Sequence, residues 1–187
     1  NGCADYQRDT DGDGVIDDID TCADTAEGAT VDTNGCAETQ YIEIGGIYSS
    51  NTILDSETPY KITTDVQIAH NTTFEISSGV KIMSGKIIVF GELKVLGTSN
   101  SQVNFENVNI VGGATLEEPF KIDIINSSFS DGSLLSPTGN GMYGSLSLKN
   151  STINNLDYMY LWYPVENCII EKNIFINSGK ISVGTKD

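Results

Sequence analysis

The chain has 187 residues, with 10 Lys or Arg against 26 Asp or Glu and a formal net charge of −16. That length suffices for one sizeable core or two modest ones. The charge excludes nucleic acid and anionic membrane surfaces as partners, because both are held through Lys and Arg. No apolar run approaches the roughly 18 residues of a membrane helix, so no direct membrane insertion is expected.

The acid is unevenly spread. Residues 1–40 hold eleven Asp or Glu against one base, Arg8, while residues 41–187 hold fifteen acids against nine Lys. A segment so acidic and so poor in apolar residues cannot fold by burying surface. It stays disordered unless cations neutralise it. Three of the four cysteines, Cys3, Cys22 and Cys36, lie in this segment among Asp and Gly, with no His nearby. That composition suggests disulfides rather than zinc, and so an oxidising compartment. The opening Asn1-Gly2-Cys3-Ala4 returns as Asn34-Gly35-Cys36-Ala37. Asn1 is therefore expected to be the tail of a preceding repeat, and the chain a piece of something longer.

Between Asp9 and Asp20 the carboxylates of Asp9, Asp11, Asp13, Asp17 and Asp20 fall at loop positions 1, 3, 5, 9 and 12, with Gly14 at 6 and Val15 at 7. Calcium is a hard cation that takes six to eight oxygens at about 2.3–2.6 Å. This spacing can supply them. Three alternating Asp converge from a tight turn that Gly14 permits, Val15 offers its carbonyl, Asp17 acts directly or through water, and Asp20 closes the shell, with Asp18 in reach to help. An EF-hand would need a helix on each side, and neither flank has room for one.

The stretch Asp9 to Cys36, reading DTDGDGVIDDIDTC, a short Ala-Gly spacer and then VDTNGC, resembles the bacterial form of the thrombospondin type 3 repeat. The resemblance covers 28 of the 187 residues. It implies a unit that wraps calcium with little regular secondary structure and serves as a spacer in a bacterial surface protein. Ala23 and Ala37 stand where such repeats often carry Pro, which loosens the turns and removes no ligand. Asp18, Asp32 and Asn34 are candidates for a second ion. The repeat favours a Cys22–Cys36 disulfide, with the partner of Cys3 lying elsewhere. The alternative, Cys3 with Cys22, would leave Cys36 alone.

Residues 1–39 are thus read as the calcium-binding repeat, 40–51 as a linker or cap, and 52–187 as a second domain. In the latter, short apolar-polar-apolar triplets recur: Val66 to Ile68, Phe74 to Ile76, Val80 to Ile82, Ile87 to Val89, Leu93 to Val95, Val103 to Phe105 and Val108 to Ile110. Period-two alternation with one apolar face means half-buried strands. Val66, Ile87 and Val108 each open a triplet at 21-residue spacing, which predicts a parallel solenoid whose rungs lie about 4.8 Å apart. Asn107, Asn126, Asn150 and Asn167, each three residues before an apolar position, are expected at one turn of successive rungs, where Asn tolerates left-handed backbone and stacks its amides. Cys168, one residue after such an Asn, is expected to point inward and stack on serines.

These features, with the opening run from Pro59 to Thr98, resemble the right-handed parallel β-helix of pectate-lyase-like proteins; a β-sandwich is the runner-up. The expected fold class is all-β, a right-handed parallel β-helix of about five or six rungs after a small irregular calcium-binding unit. Enzymes of this fold mostly cleave polysaccharides, but residues 52–187 contain no Arg and one His, His70, in a loop, where a surface role is expected. Asp123, Asp131 and Asp157 stand apart from one another in sequence, so no catalytic residue is assigned. Tyr158, Tyr160 and Trp162 would share one face of an extended segment and could stack on a sugar or anchor a protein. The resulting expectation is a secreted or bacterial cell-surface protein, with Ca2+ as its cofactor. A stiffened spacer would present a binding or adhesion module whose partner is a polysaccharide or another surface protein. The alternative is the non-catalytic beginning of a polysaccharide lyase or hydrolase.

Overall fold

The computed structural model describes residues 8–38, 40–113, 118–135, 143–161 and 168–183. The chain divides into two compact units, Asn1–Gln40 and Tyr41–Asp187. The described residues are all-β, with no helix.

The first unit is a string of turns. Among the described residues its one ladder contact is an isolated antiparallel bridge between Val31 and Ala37. Gly35 is the only buried residue among residues 8–38, and Ile19 is 56% exposed, so these residues form no apolar core. Its shape comes from bonds that cross the segment. Thr21 N–H donates to the Asn34 carbonyl at 2.9 Å, and Glu38 N–H donates to the Thr30 carbonyl at 2.8 Å.

The second unit is a parallel β-solenoid of about 5 turns. Its strands are β1 (Ile42–Tyr48), β2 (Thr52–Leu54), β3 (Tyr60–Ile68), β4 (Thr73–Ser77), β5 (Lys81–Val89), β6 (Glu92–Leu96), β7 (Val103–Gly112), β8 (Phe120–Ile125), β9 (Ser127–Leu134) and β10 (Gly144–Lys149), followed by β11 (Thr152–Asn154), β12 (Tyr158–Leu161), β13 (Ile169–Glu171), β14 (Ile174–Ile176) and β15 (Lys180–Val183). One sheet runs β1-β3-β5-β7-β9-β11-β14, with β12 and β15 extending it beside β9, and the other runs β2-β4-β6-β8-β10-β13. Each turn is a long strand bent at its middle, then a short strand. After β10 the bend opens into a gap, so β11 with β12, and β14 with β15, are the two halves of one long strand. The stretch 40–51, read from sequence as a linker or cap, contains β1, which pairs in parallel with β3.

Alternation builds the core. In β4 and β6, Phe74, Ile76, Leu93 and Val95 point inward at 0% exposure while Glu75 and Lys94 point out. Inward side chains stack in columns along the axis because the register is in phase from turn to turn. Ile82, Phe105, Phe129 and Ile153 form one such column. The Phe105 and Phe129 rings stack with centroids 4.6 Å apart. Each such side chain stabilises the fold by roughly 1.5–3 kcal/mol through burial. Gly112 and Gly144 flank the Phe120 ring, which a Cβ on either would strike.

The register departs from the sequence reading in three places. Val66 pairs with Ile87, but Ile87 pairs with Ile110, and Val108 lies opposite Gly85. The second turn is therefore two residues longer than the 21-residue spacing implied. A slip of two is invisible in the apolar pattern, since Val108 and Ile110 both face inward. Asn126 and Asn150 do share one corner, successive in the ladder, but Asn107 belongs to another. There it aligns with Ser84, Asp131, Asn155 and Asn177. All five have φ between 48° and 64°, the left-handed region that Asn and Asp tolerate best among residues with a Cβ. Asn167 lies outside the described residues. Finally, Ser127 and Ser151 stack as expected, with Ser127 N–H donating to Ser151 Oγ at 3.1 Å. Cys168 does not join them. It precedes Ile169, the partner of Ser147, and so falls in line with Leu146, where it packs against the core and burial pushes its thiol pKa up.

Truncating the stacked ring in Phe129→Ala is expected to destabilise the solenoid by about 3–5 kcal/mol, read as a lowered midpoint in urea denaturation followed by the strand circular dichroism signal. Ser128→Ala, on the outward side of the same strand, should stay within about 0.5 kcal/mol of the parent.

Candidate functional site

Two places gather chemistry. The first is the acidic loop of the first unit. The chain turns tightly here because each Asp side chain accepts bonds from amides two to five residues on, the Asx geometry that competes with helix and sheet. Asp9 accepts from Gly12 N–H at 2.8 Å and Gly14 N–H at 3.0 Å, Asp11 from Asp13 N–H at 3.3 Å, and Asp13 from Val15 N–H at 2.7 Å. The result is a cluster in which one carboxylate oxygen each from Asp9, Asp11 and Asp13 lies within 4.8 Å of the others. Unit charges about 4 Å apart repel by roughly 1 kcal/mol in water and about 4 at an effective dielectric of 20. Nothing basic among the described residues answers the cluster. The one Arg, Arg8, reaches Asp17 at 3.7 Å instead.

One atom marks where a cation would sit. Asp13 Oδ2 is buried and has no hydrogen-bond partner. A buried carboxylate oxygen left unpaired costs free energy that a hydrogen bond or an ion must offset. Close to it is Asp20. Both approach Gly35, where a Cβ would run into Asp20 Oδ1 and stand 3.0 Å from Asp13 Oδ2. With φ +77° and this crowding, only glycine fits. The donor set is all oxygen, which suits calcium and not zinc.

The other sequence candidates are placed differently. Asp17 turns to Thr10, accepting from its N–H at 2.8 Å and its hydroxyl at 2.6 Å. The Thr10 hydroxyl, ahead of the opposing effect of burial, holds the Asp17 pKa below the ordinary carboxylate range, with the Thr10 amide and Arg8 adding to it. It is not in the cluster. Asp20 caps the next turn, accepting from Cys22 N–H at 2.8 Å. Val15 donates its amide to Asp13, and Asp18 is exposed outside the cluster. Asp32 accepts from Asn34 N–H at 2.8 Å and Cys36 N–H at 3.1 Å, a turn of its own rather than part of a three-carboxylate group. The Asn34 carbonyl accepts from Thr21.

Cys22 and Cys36 form a disulfide, with Cα atoms 5.1 Å apart and a sequence separation of 14. Cys3 lies outside the described residues. Sequence reading missed Thr25. Its N–H donates to Asp11 at 2.8 Å, and its hydroxyl lies 2.7 Å from the Gly35 carbonyl and 3.0 Å from that of Cys22. It thereby ties the acidic loop to the disulfide, and an isolated Thr gives no pattern by which to find it.

The second place is on the solenoid. At the corner joining each long strand to the next short one lie His70, Phe90 and Glu118. His70 Nε2 stands 3.5 Å from Glu118, and the His70 and Phe90 rings are 5.4 Å apart. A Cβ on Gly113 would press on the Phe90 ring, so the ring lies over that backbone. Beside this wall runs an outward row in register, Thr73, Glu92 and Lys121. Glu92 accepts from Lys121 at 2.8 Å, Thr73 at 3.1 Å and Lys94 at 3.3 Å. Wall and row enclose an open groove of about 650 Å³. Of the aromatic set read from sequence, the Tyr158 and Tyr160 rings lie 5.8 Å apart, and Lys180 sits 5.6 Å from the Tyr160 centroid. Trp162 lies outside the described residues.

No family model, no curated protein and no solved structure matches the chain.

Two outcomes follow from these geometries. Reducing the Cys22–Cys36 bond removes about 3 kcal/mol of chain-entropy stabilisation, so amide exchange at Thr21 and Cys36 should accelerate while that of the solenoid core strands stays as it was. Burial pushes the Glu92 pKa up, but bonds from Lys121, Thr73 and Lys94 outweigh it and leave it lowered. A depressed carboxylate contributes stability that is complete above its unfolded pKa of about 4.3 and is lost as pH falls through the lower folded value. Glu92→Gln should therefore flatten the acid limb of the solenoid's stability curve and leave its slope at neutral pH unchanged.

Proposed function

We propose that the first unit binds calcium through Asp9, Asp11 and Asp13, with Asp20 completing the site, and that the chain is a secreted or cell-surface protein. In this reading a calcium-stiffened spacer carries a solenoid that serves as a binding or adhesion module. The observation that carries the calcium assignment is the buried, unpartnered Asp13 Oδ2 beside two further carboxylates, where the described residues form no apolar core. Hydrophobic burial cannot hold residues 8–38 in one shape, whereas an ion drawing in several oxygens can, since its binding free energy is then folding free energy. The Asp spacing together with the Cys22–Cys36 disulfide supports a repeat of the thrombospondin type 3 kind. The in-phase parallel turns support a right-handed β-helix of the pectate-lyase-like kind. The disulfide also supports an oxidising, extracytoplasmic location. Asp32 and Asn34, in their separate turn, are the residues a second ion would use.

Titration calorimetry of the chelator-treated protein with calcium chloride tests the assignment. A saturable heat is expected, weakened at least tenfold in Asp13→Asn and little changed in Asp18→Asn. Absence of heat in the parent protein, or an Asp13→Asn variant that binds as the parent does, would overturn it.

A further inference from the structure

We propose that Asn34 is a self-modifying residue: the Gly35 backbone nitrogen displaces its side-chain amide, and the aspartate that forms sets a second carboxylate beside that of Asp32 for an ion. The consequence for the ion rests on the calcium reading of this unit, and the modification itself does not.

Among the described residues Asn34 is the one Asn that precedes a glycine. A side chain on the following residue crowds the approach of its nitrogen to the amide carbon, and glycine has none. That glycine cannot be exchanged, because a Cβ at Gly35 would run into Asp20 and the residue has φ +77°. The attacked group is free. Asn34 is exposed, and none of the described residues holds its side-chain amide. By contrast the amides of Asn126, Asn155 and Asn173 donate to the Gly97 carbonyl at 3.0 Å, to Asp131 at 2.8 Å and to the Leu148 carbonyl at 2.7 Å. The attacking group is only loosely held. Gly35 N–H donates to the Asp32 carbonyl at 3.2 Å, longer than the roughly 2.9–3.0 Å of an ordinary amide bond. The Asn34 carbonyl, in the same peptide unit, accepts from Thr21 N–H at 2.9 Å and lies 3.3 Å from the Thr21 hydroxyl. Those bonds polarise the peptide and make its nitrogen easier to deprotonate.

The step needs only water. The Gly35 nitrogen gives its proton to solvent and bonds to the Asn34 Cγ. The Cγ–Nδ2 bond breaks, and ammonia leaves with a proton from solvent, which closes a five-membered imide. Water then opens the ring at one of its two carbonyls. Breaking the bond between nitrogen and Cγ gives aspartate. Breaking the bond between nitrogen and the Asn34 carbonyl carbon gives isoaspartate, whose backbone runs through the former side chain and is one carbon longer. Asp9-Thr10-Asp11-Gly12 and Asp32-Thr33-Asn34-Gly35 differ only at their third residue, and their glycines share a left-handed φ of +79° and +77°. Aspartate at position 34 therefore takes the place in its turn that Asp11 has in the first loop. An amide offers a cation one neutral oxygen, whereas a carboxylate offers two and a charge. Ligand charge tunes calcium affinity.

The test is peptide mass analysis of the whole chain, held with calcium at mildly alkaline pH and sampled over time, with aspartate and isoaspartate products separated. Both products are expected at Asn34, formed at least tenfold faster than at Asn71, Asn126 or Asn155. Conversion at Asn34 no faster than at those three overturns the proposal, and aspartate without isoaspartate overturns attack by the Gly35 nitrogen. Calorimetry with calcium chloride on the Asn34→Asp variant, which carries the aspartate without the isoaspartate, tests the consequence for the ion. A second calcium bound at least tenfold more tightly than in the fresh parent is expected, and an isotherm matching the parent's overturns that consequence. Rapid conversion at Asn34 with no calcium heat in either protein sinks the calcium reading and leaves the modification standing.

Discussion

Three carboxylates held within 4.8 Å of one another, in a unit whose only buried described residue is a glycine, are the constraint on which the amino-terminal unit turns. Repulsion among Asp9, Asp11 and Asp13 works against the fold, and the described residues of the unit form no apolar interior to offset it. The backbone answers part of that charge with its own amides at Gly12, Gly14, Asp13 and Val15. Thr25 and the Cys22–Cys36 bond bring the far end of the segment back onto the loop. What the protein's own groups leave unanswered is Asp13 Oδ2. Gly35 matters for the same reason. It leaves room for the Asp13 and Asp20 oxygens to approach from one side, and any side chain there would push them apart.

The solenoid solves the opposite problem. Its core is continuous, so each turn is held by the turns on either side, and its variable chemistry is confined to the corners and outward rows. The bend within the long strands is tight, held by left-handed Ser84, Asn107, Asp131, Asn155 and Asn177, and the corner after the short strands tightens from β8 on, with Asn126, Asn150 and Lys172 left-handed there. The third corner begins short, at His70-Asn71 and Phe90-Gly91, and lengthens in later turns between β7 and β8 and between β9 and β10. Short corners leave the outward faces of β4, β6 and β8 open, and the polar row with its aromatic wall lies there.

Much of this was legible in the sequence, for identifiable reasons. Alternation at Phe74, Ile76, Leu93 and Val95 gave away the strands because a half-buried strand has no other way to satisfy both faces. The Asp spacing gave away the crowded loop because only a tight turn brings positions 1, 3 and 5 together. The Cys22–Cys36 pair followed from the repeat. Register was harder, because a two-residue shift keeps every apolar residue on its side. The second 21-residue step therefore went astray at Val108, and Asn107 was assigned to the wrong corner. Asp17 was grouped with the loop carboxylates by spacing alone, and in the fold the Thr10 hydroxyl and Arg8 hold it aside. The groove was not legible at all. His70, Phe90, Glu92, Glu118 and Lys121 come from three turns and become neighbours only once the pairing is known, so an isolated loop His read as mere surface.

The account rests on the claim that a divalent ion, rather than the polypeptide alone, fixes the conformation of residues 8–38. Amide hydrogen exchange of the oxidised protein with calcium and with excess chelator tests it most directly. Protection at Gly12, Gly14, Val15 and Thr25 that depends on calcium, with the solenoid core strands equally protected in both conditions, is the predicted result. Equal protection of those four amides in calcium and in chelator would contradict it.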